Sequence, residues 1–188
     1  MKMKRVLLAM LVMVLAFSLI PLNASAATKK NASDLAALHK IINAQKKQGA
    51  LMSSDMNFYQ YKWNSQGRLV GIDWYNCLLK GSISFAGLPE LTDLSCENNM
   101  LSKLDVSKNK KLTDLSCSDN KISSLDVSVC TGLKTLWCEN NKLTSLDVSS
   151  NTKLKELYCK NNKISILDVT NCPDVNIECD KTVEIIGK

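Results

Sequence analysis

The chain has 188 residues, of which 45% are hydrophobic, and its 24 basic and 18 acidic side chains give a formal net charge of +6. That length is enough for one domain with a continuous core. The modest positive charge suits a solvated domain and argues against nucleic-acid binding, which needs a concentrated basic surface.

The first 26 residues predict a secretory signal peptide. Three basic residues precede an apolar run over residues 6–20, interrupted only by Ser18, and the small-residue sequence Ala24-Ser25-Ala26 follows it. A run of about 15 apolar residues is shorter than the roughly 20 that span a bilayer, so a membrane anchor is the weaker interpretation. We therefore expect cleavage after Ala26 and a secreted protein, extracellular or in the cell envelope, with no membrane span in the mature chain. Removing Lys2, Lys4 and Arg5 leaves 21 basic against 18 acidic residues, a charge of about +3.

Residues 27–67 predict an N-terminal cap. Ser33 is a candidate N-cap for a helix over 33–48, with Gly49 just past its end. The apolar residues of that segment fall on one face: Leu35, Leu38, Ile41 and Ile42. The turn residues 64–67, between apolar stretches, then predict an irregular hairpin that leads into the next segment.

Residues 91–174 contain four copies of one 21-residue unit, over 91–111, 112–132, 133–153 and 154–174. The first copy begins LTDLSCENNMLSKLDVSKN, and its polar positions recur in three columns. The cysteine column is Cys96, Cys117, Cys138 and Cys159; the asparagine column is Asn99, Asn120, Asn141 and Asn162; the aspartate column is Asp105, Asp126, Asp147 and Asp168. Residues 68–90 read as an irregular first repeat, and residues 175–188 as a partial repeat or C-terminal cap.

Each unit has two halves of similar pattern, L-x-x-L-x-C-x-x-N-x and L-x-x-L-D-V-S-x-N-x-x. Apolar residues alternate with polar ones in both halves, which is the period of a strand. We expect two short parallel strands per coil and no helix within the repeats.

These repeats resemble the bacterial leucine-rich repeats of the short 21-residue class, sometimes called IRREKO, which are related in style to internalin-like surface proteins. The resemblance covers residues 91–174 closely and 68–90 loosely. It implies a β-rich leucine-rich-repeat solenoid, a right-handed coil of short parallel strands, with an N-terminal α-helical cap. It also implies a role in extracellular protein–protein interaction, such as the binding of a surface or host protein.

The cysteine column predicts buried thiols rather than a metal site. Strands one coil apart lie about 4.8 Å apart, so the four sulfur atoms form a line. A zinc site needs four ligands converging at about 2.3 Å from one point, and a disulfide needs Cβ atoms roughly 3.5 to 4.5 Å apart. Disulfides stay an open alternative for the cysteines outside the column, which are Cys77, Cys130, Cys172 and Cys179.

The aspartate column predicts local hydrogen bonding in its D-V-S-x-N turns, with bound calcium as the alternative.

Enzyme chemistry has little support. The lone histidine, His39, has no nucleophile at a suggestive spacing. Asp93 and Asp114 could approach the carboxylate spacing of a retaining glycosidase, but we expect them on an open strip without a cleft. The sequence therefore predicts a protein that is not an enzyme and has no cofactor or metal.

Partner specificity should lie in the outward positions between the repeated columns. Trp137 and Tyr158 alternate with inward residues, so both rings should point outward on neighbouring coils, about 5 Å apart. The candidate partner-binding residues are Trp137, Tyr158, Asp93, Asp114, Glu139, Glu156 and Lys160. We expect an extracellular or cell-surface protein as the partner. A carbohydrate or cell-wall ligand on the Trp137/Tyr158 face, or a purely structural role in the envelope, are the alternatives.

Overall fold

The computed structural model describes residues 29–188, which form one short helix followed by successive coils of short strands. The predicted signal peptide lies outside the described residues. Helix α1 spans Ala32–Lys46. The strands are β1 (Tyr61–Trp63), β2 (Leu69–Asp73), β3 (Lys80–Ser84), β4 (Asp93–Ser95), β5 (Met100–Asp105), β6 (Asp114–Ser116), β7 (Thr135–Trp137), β8 (Glu156–Tyr158), β9 (Ile166–Asp168), β10 (Asn176–Glu178) and β11 (Glu184–Ile186). Among residues 29–188, no helix has the length and hydropathy that crossing a membrane requires.

One side of the coil is a continuous seven-stranded sheet in the order β1-β2-β4-β6-β7-β8-β10. The hairpin β1–β2 is antiparallel, and every later pair in this sheet is parallel. Each parallel step joins the first half of one repeat to the first half of the next. The predicted leucine-rich-repeat solenoid with little helix is therefore confirmed.

The expectation of two strands in every coil is wrong for the repeats at 112–132 and 133–153. Second-half strands pair only as β3 with β5 and β9 with β11. Between those pairs, neighbouring coils are joined by isolated backbone bonds, such as Lys142 N–H to the Ile122 carbonyl at 2.8 Å. Inward packing of buried Ile122 and Val127 holds this side without a ladder.

The N-cap of the helix lies two residues earlier than predicted. Asn31, not Ser33, is the N-cap, because its Oδ1 accepts the backbone N–H groups of Ser33 at 3.0 Å and Asp34 at 3.1 Å. The Ser33 hydroxyl donates to the same oxygen at 2.6 Å. The helix ends at Lys46, two residues short of the predicted end, and Gly49 follows with a φ of +90°.

Two buried side chains of α1 fasten it to the first coil. Asp34 accepts from Arg68 Nε at 2.8 Å, from Arg68 Nη2 at 3.0 Å and from the Leu69 backbone N–H at 2.9 Å. Gln45 bonds both backbone groups of Lys80, donating to the carbonyl at 3.1 Å and accepting from the N–H at 3.0 Å. Its amide thus pairs with the start of β3, a strand edge that would otherwise be open. The boundary between cap and repeats, placed at residue 67, stays a prediction.

The cysteine column lies in the core, where all four thiols are buried beside the inward leucines. Burial raises the pKa of Cys96 and of Cys159 to about 12. Every cysteine among the described residues is a free thiol. Cys130 and Cys172 stand where other coils have Asn109 and Asn151, and the Cys172 sulfur lies 3.3 Å from the Asn151 carbonyl oxygen.

The asparagine column closes the turn after each first strand. Asn141 is typical: its Nδ2 donates to the carbonyls of Cys117 at 2.9 Å, Cys138 at 3.2 Å and Glu139 at 3.1 Å. Its Oδ1 accepts the Ile122 N–H at 2.9 Å. One buried carboxamide therefore satisfies turn groups of its own coil and of the coil before it.

We expect Asn141→Ala to lower the free energy of unfolding by about 2–4 kcal/mol, because it leaves the buried Ile122 N–H unpaired and removes the shared donor of three carbonyls. Urea unfolding followed by circular dichroism measures the change. Lys142→Ala, which truncates the adjacent exposed side chain, is the control and should stay within about 0.5 kcal/mol of the parent. Equal stability of the two variants would contradict this role for the column.

Native protein kept without reductant should resist a disulfide-exchange thiol reagent, and all eight cysteines should react once the chain is unfolded. The reason is burial, which excludes the reagent and disfavours the reactive thiolate. Cys179, which is only partly buried, should react first. Absorbance of the released thiol follows the reaction, and disulfides found by mass spectrometry of the untreated protein would refute the prediction.

Candidate binding surface on the sheet face

The outward side chains of the seven-stranded sheet form a surface that we call the sheet face. Strand register aligns them in two rows. The first row is Gly71, Asp93, Asp114, Thr135, Glu156 and Asn176; the second is Asp73, Ser95, Ser116, Trp137, Tyr158 and Glu178. The residues between the rows on β2, β4, β6, β7 and β8, such as Leu136 and Leu157, are buried, and Ile177 on the terminal strand β10 is partly buried. The alternation predicted from the repeat therefore separates core from surface on the strands from β2 to β8.

An open groove of about 450 Å³ runs over this face. The β1 hairpin borders one end through Tyr59 and Lys62, and Trp137 stands near the other end. The structure thus brings four of the seven candidate residues to the groove: Asp93, Asp114, Trp137 and Glu156. Tyr158, Glu139 and Lys160 do not line the groove.

The two aromatic candidates stack on each other. The rings of Trp137 and Tyr158 have centroids 5.8 Å apart and an interplanar angle of 19°. They are register partners on β7 and β8, and Trp137 keeps 37% of its surface exposed. The expected outward pair on neighbouring coils is therefore present, with one face of each ring covered by the other ring.

Charged groups surround the aromatic pair. Burial, followed by the nearby carboxylate of Glu178, raises the pKa of Glu139 above its usual value. Lys160 Nζ lies 2.7 Å from a carboxylate oxygen of Glu178 and is held by that ion pair. Lys160 is thus engaged within the chain, whereas Asp93 is the only acidic candidate with a salt bridge among residues 29–188.

Asp93 and Asp114 occupy equivalent places on β4 and β6. Each carboxylate accepts the hydroxyl of the threonine before it, Thr92 at 2.6 Å and Thr113 at 2.7 Å. The strip is open, as expected, and it forms a shallow groove that the hairpin borders at one end and Trp137 near the other. The sequence could not reveal this, since the side to which β1 folds depends on tertiary packing.

Lys62 is a residue of the groove that sequence reasoning missed. Its side chain crosses Gly71, where an added Cβ would lie 2.9 Å from Lys62 Cβ, and its Nζ reaches to 3.7 Å from Asp93. Tyr59 and Asp73 were also missed. Aligning β2 on the repeats with a one-residue insertion would have revealed Asp73, because it is the register partner of Ser95.

The aspartate column lies away from the sheet face, in the turns that follow the second halves. Asp126, Asp147 and Asp168 each accept the backbone N–H two residues ahead, at 2.9 Å. The predicted local hydrogen bonding is therefore present in these turns. Among residues 29–188, no group of three or more His, Cys, Asp or Glu side chains is placed to hold a metal ion. His39 is exposed on α1.

A sequence profile and solved structures relate the chain to known proteins. The sequence profile described as Leucine Rich repeats (2 copies) matches residues 110–151. No curated protein matches the sequence. The leucine-rich repeats themselves are thus shown, while the short 21-residue class stays a prediction.

Two plant ectodomains of solved structure share the fold at low identity, and a bacterial internalin is a weaker match. The leucine-rich repeat ectodomain of the receptor kinase SOBIR1 from Arabidopsis thaliana is 20% identical, with a TM-score of 0.66 over 84% of this chain and 97% of that one. The BIR2 ectodomain from Arabidopsis thaliana is also 20% identical, with a TM-score of 0.65 over 85% and 96%. Internalin C2 from Listeria monocytogenes is 21% identical, with a TM-score of 0.47 over 62% and 49%.

Acid should weaken the solenoid through the aspartate column. Hydrogen bonds from Ser128, Ser149 and Thr170 hold the pKa of Asp126, Asp147 and Asp168 below the usual value of 3.8. The resulting stabilisation is complete above that unfolded-chain value and is lost as the pH falls through the lower folded-state pKa.

We therefore expect the free energy of unfolding in urea to fall as the pH drops from about 5 towards 2, and to fall less in Asp126→Ala/Asp147→Ala. Urea titrations at each pH measure both curves. If the substituted chain lost stability as steeply as the parent, the lowered pKa values would not be the cause.

Proposed function

We propose that the chain is a secreted, non-catalytic leucine-rich repeat protein that binds another protein outside the cell through its sheet face. The observation that carries this proposal is the stack of exposed Trp137 on half-buried Tyr158 beside an open groove. Large aromatic side chains contribute much of the energy of protein interfaces, because they bury a large area at a small cost in side-chain entropy.

The surroundings of the stack suit a specific interface. Acidic side chains of the first row border the groove, and charged groups at the rim of an interface steer the partner and reject wrong ones. The floor beneath them is rigid, because the residues between the rows that line the groove, Ile72, Leu94 and Leu115, are buried in the core. A preorganised face loses little conformational entropy when a partner binds.

Export is supported by two observations. Residues 1–26 have the composition of a signal peptide. The structure of SOBIR1 named above is that of a receptor-kinase ectodomain, so in that protein the same fold works outside the cell.

A carbohydrate ligand is the alternative, and the ring geometry disfavours it. Sugar stacking uses open aromatic faces, and the stack of Trp137 on Tyr158 at 5.8 Å leaves only one such face on each ring. A protein partner can also use the ring edges. Binding of the chain to a glycan array, with the loss of that binding in the variant below, would favour the carbohydrate instead.

Trp137→Ala/Tyr158→Ala should abolish capture of the natural partner, with at least about a tenfold loss of affinity, while the midpoint of thermal unfolding changes little. The chain is purified from culture medium, its first residue is read by N-terminal sequencing, and its partner is trapped by cross-linking. An N-terminus at Ala27 is expected.

Ile166→Ala is the matched control, because it removes another exposed hydrophobic side chain, 53% exposed, from β9 outside the sheet face. Its capture should equal that of the parent. A partner retained equally by all three chains would place the interface elsewhere.

A further inference from the structure

The groove is acidic on a chain that is basic as a whole. The formal net charge is +6, yet four groove residues carry carboxylates and a single one carries a base. The acidic residues are Asp73, Asp93, Asp114 and Glu156, and the base is Lys62. The surface between the hairpin and Trp137 is therefore complementary to a cation.

The one internal base leaves most of this charge uncompensated. Lys62 approaches Asp93 at 3.7 Å, and 70% of the Lys62 side chain is exposed, so the contact is weak and easily displaced. Among residues 29–188, no salt bridge includes Asp114 or Asp73. Thr113 donates to Oδ2 of Asp114, and no protein group in the described part of the chain donates to its Oδ1.

Trp137 presents one open ring face to the same space. Its other face is covered by Tyr158 of the next coil. On the preceding coil its register partner is Ser116, a small side chain, and Trp137 lines the groove on that side. A guanidinium or ammonium group within about 6 Å of an indole ring is attracted to its face. Asp114 lies diagonally across from Trp137 on the adjacent strand, close enough for one cation to contact both.

The groove also limits the length of its occupant. Strands β2, β4, β6 and β7 are consecutive in the sheet, so Asp73 and Trp137 are separated by three strand spacings, about 14 Å. An extended segment of about four or five residues covers that distance at roughly 3.3 Å per residue. Tyr59 of the hairpin stands at the far end, 69% exposed, and offers an apolar contact there.

We propose that the groove binds a short extended segment of a partner protein that carries an arginine or lysine, with the cationic group between the open face of Trp137 and the carboxylates of Asp93 and Asp114. This inference rests on the proposed function, since it assigns the chemistry of the segment that the sheet face binds. Arginine suits the place better than lysine, because its planar group stacks on the ring while its edge donates to carboxylates.

A random heptapeptide library displayed on phage, selected on the immobilised residues 27–188, tests the chemistry without knowledge of the natural partner. We expect the selected peptides to be enriched in arginine and lysine and depleted in aspartate and glutamate relative to the unselected library. Selection on Asp93→Asn/Asp114→Asn should lose this enrichment. Both asparagines can still accept the threonine hydroxyls, so the strands keep their local bonds.

Asp126→Asn/Asp147→Asn is the matched control, since it changes the net charge equally in turns away from the groove. A selected peptide, made synthetically and titrated by calorimetry, should bind the parent and this control within about twofold. It should bind Asp93→Asn/Asp114→Asn at least about tenfold more weakly, and Trp137→Ala about fivefold more weakly.

Three results would overturn the inference. The first is a selection that yields no peptides, or peptides without basic enrichment. The second is equal binding of the peptide to the parent and to Asp93→Asn/Asp114→Asn. The third is a dimer of the parent chain in sedimentation equilibrium that dissociates in Asp93→Asn/Asp114→Asn. The last result would make a second copy the occupant. If the natural partner still depends on Trp137 and Tyr158 while the peptides show no basic preference, the proposed function stands and only the chemistry assigned here fails.

Discussion

The buried asparagine column is the constraint on which the other features depend. The chain turns after the first strand of each coil, and the backbone groups of that turn are buried away from water. One carboxamide per coil, such as that of Asn120, bonds carbonyls of two successive coils at once. Because it links equivalent atoms 21 residues apart, the column holds neighbouring coils in a constant register. The residues just before it, Asn98, Asp119, Asn140 and Asn161, have φ between 53° and 56°, which asparagine and aspartate tolerate better than most.

Because the register is constant, side chains that recur every 21 residues line up across neighbouring strands and form one surface. Trp137 and Tyr158 are 21 positions apart in the chain, and they stack because β7 and β8 pair without a shift. The same alignment places the carboxylates of Asp93 and Asp114 side by side. The groove needs one further element, the antiparallel hairpin, whose Lys62 lies across Gly71 and gives the acidic strip an end.

The cysteine column shows why some features could be read from sequence and others could not. Its regular spacing excluded a zinc site on geometry alone, and the structure has four buried thiols beside the core leucines. The second halves of the repeats all show the same alternation of residues, yet residues 122–127 and 143–148 form no strand. Alternation specifies which side chains point inward, but a ladder also needs neighbouring coils to lie at strand spacing there, which depends on the packing of the whole coil. Asn31, the N-cap in place of Ser33, also donates its backbone N–H to the Gly67 carbonyl, a tertiary contact that the local sequence does not record.

Sequence by itself determined the solenoid, its core columns and which residues face outward, because each of these depends only on periodicity repeated at one spacing. It also identified Trp137 and Tyr158 as neighbours. Tertiary structure alone decided that the acidic strip lies in a groove, since the hairpin reaches Asp93 from 31 positions away through Lys62. It likewise decided that Lys160 is engaged by Glu178 while Asp114 has no salt bridge among residues 29–188. Such pairings depend on where flexible side chains from different coils meet, and no local pattern records that.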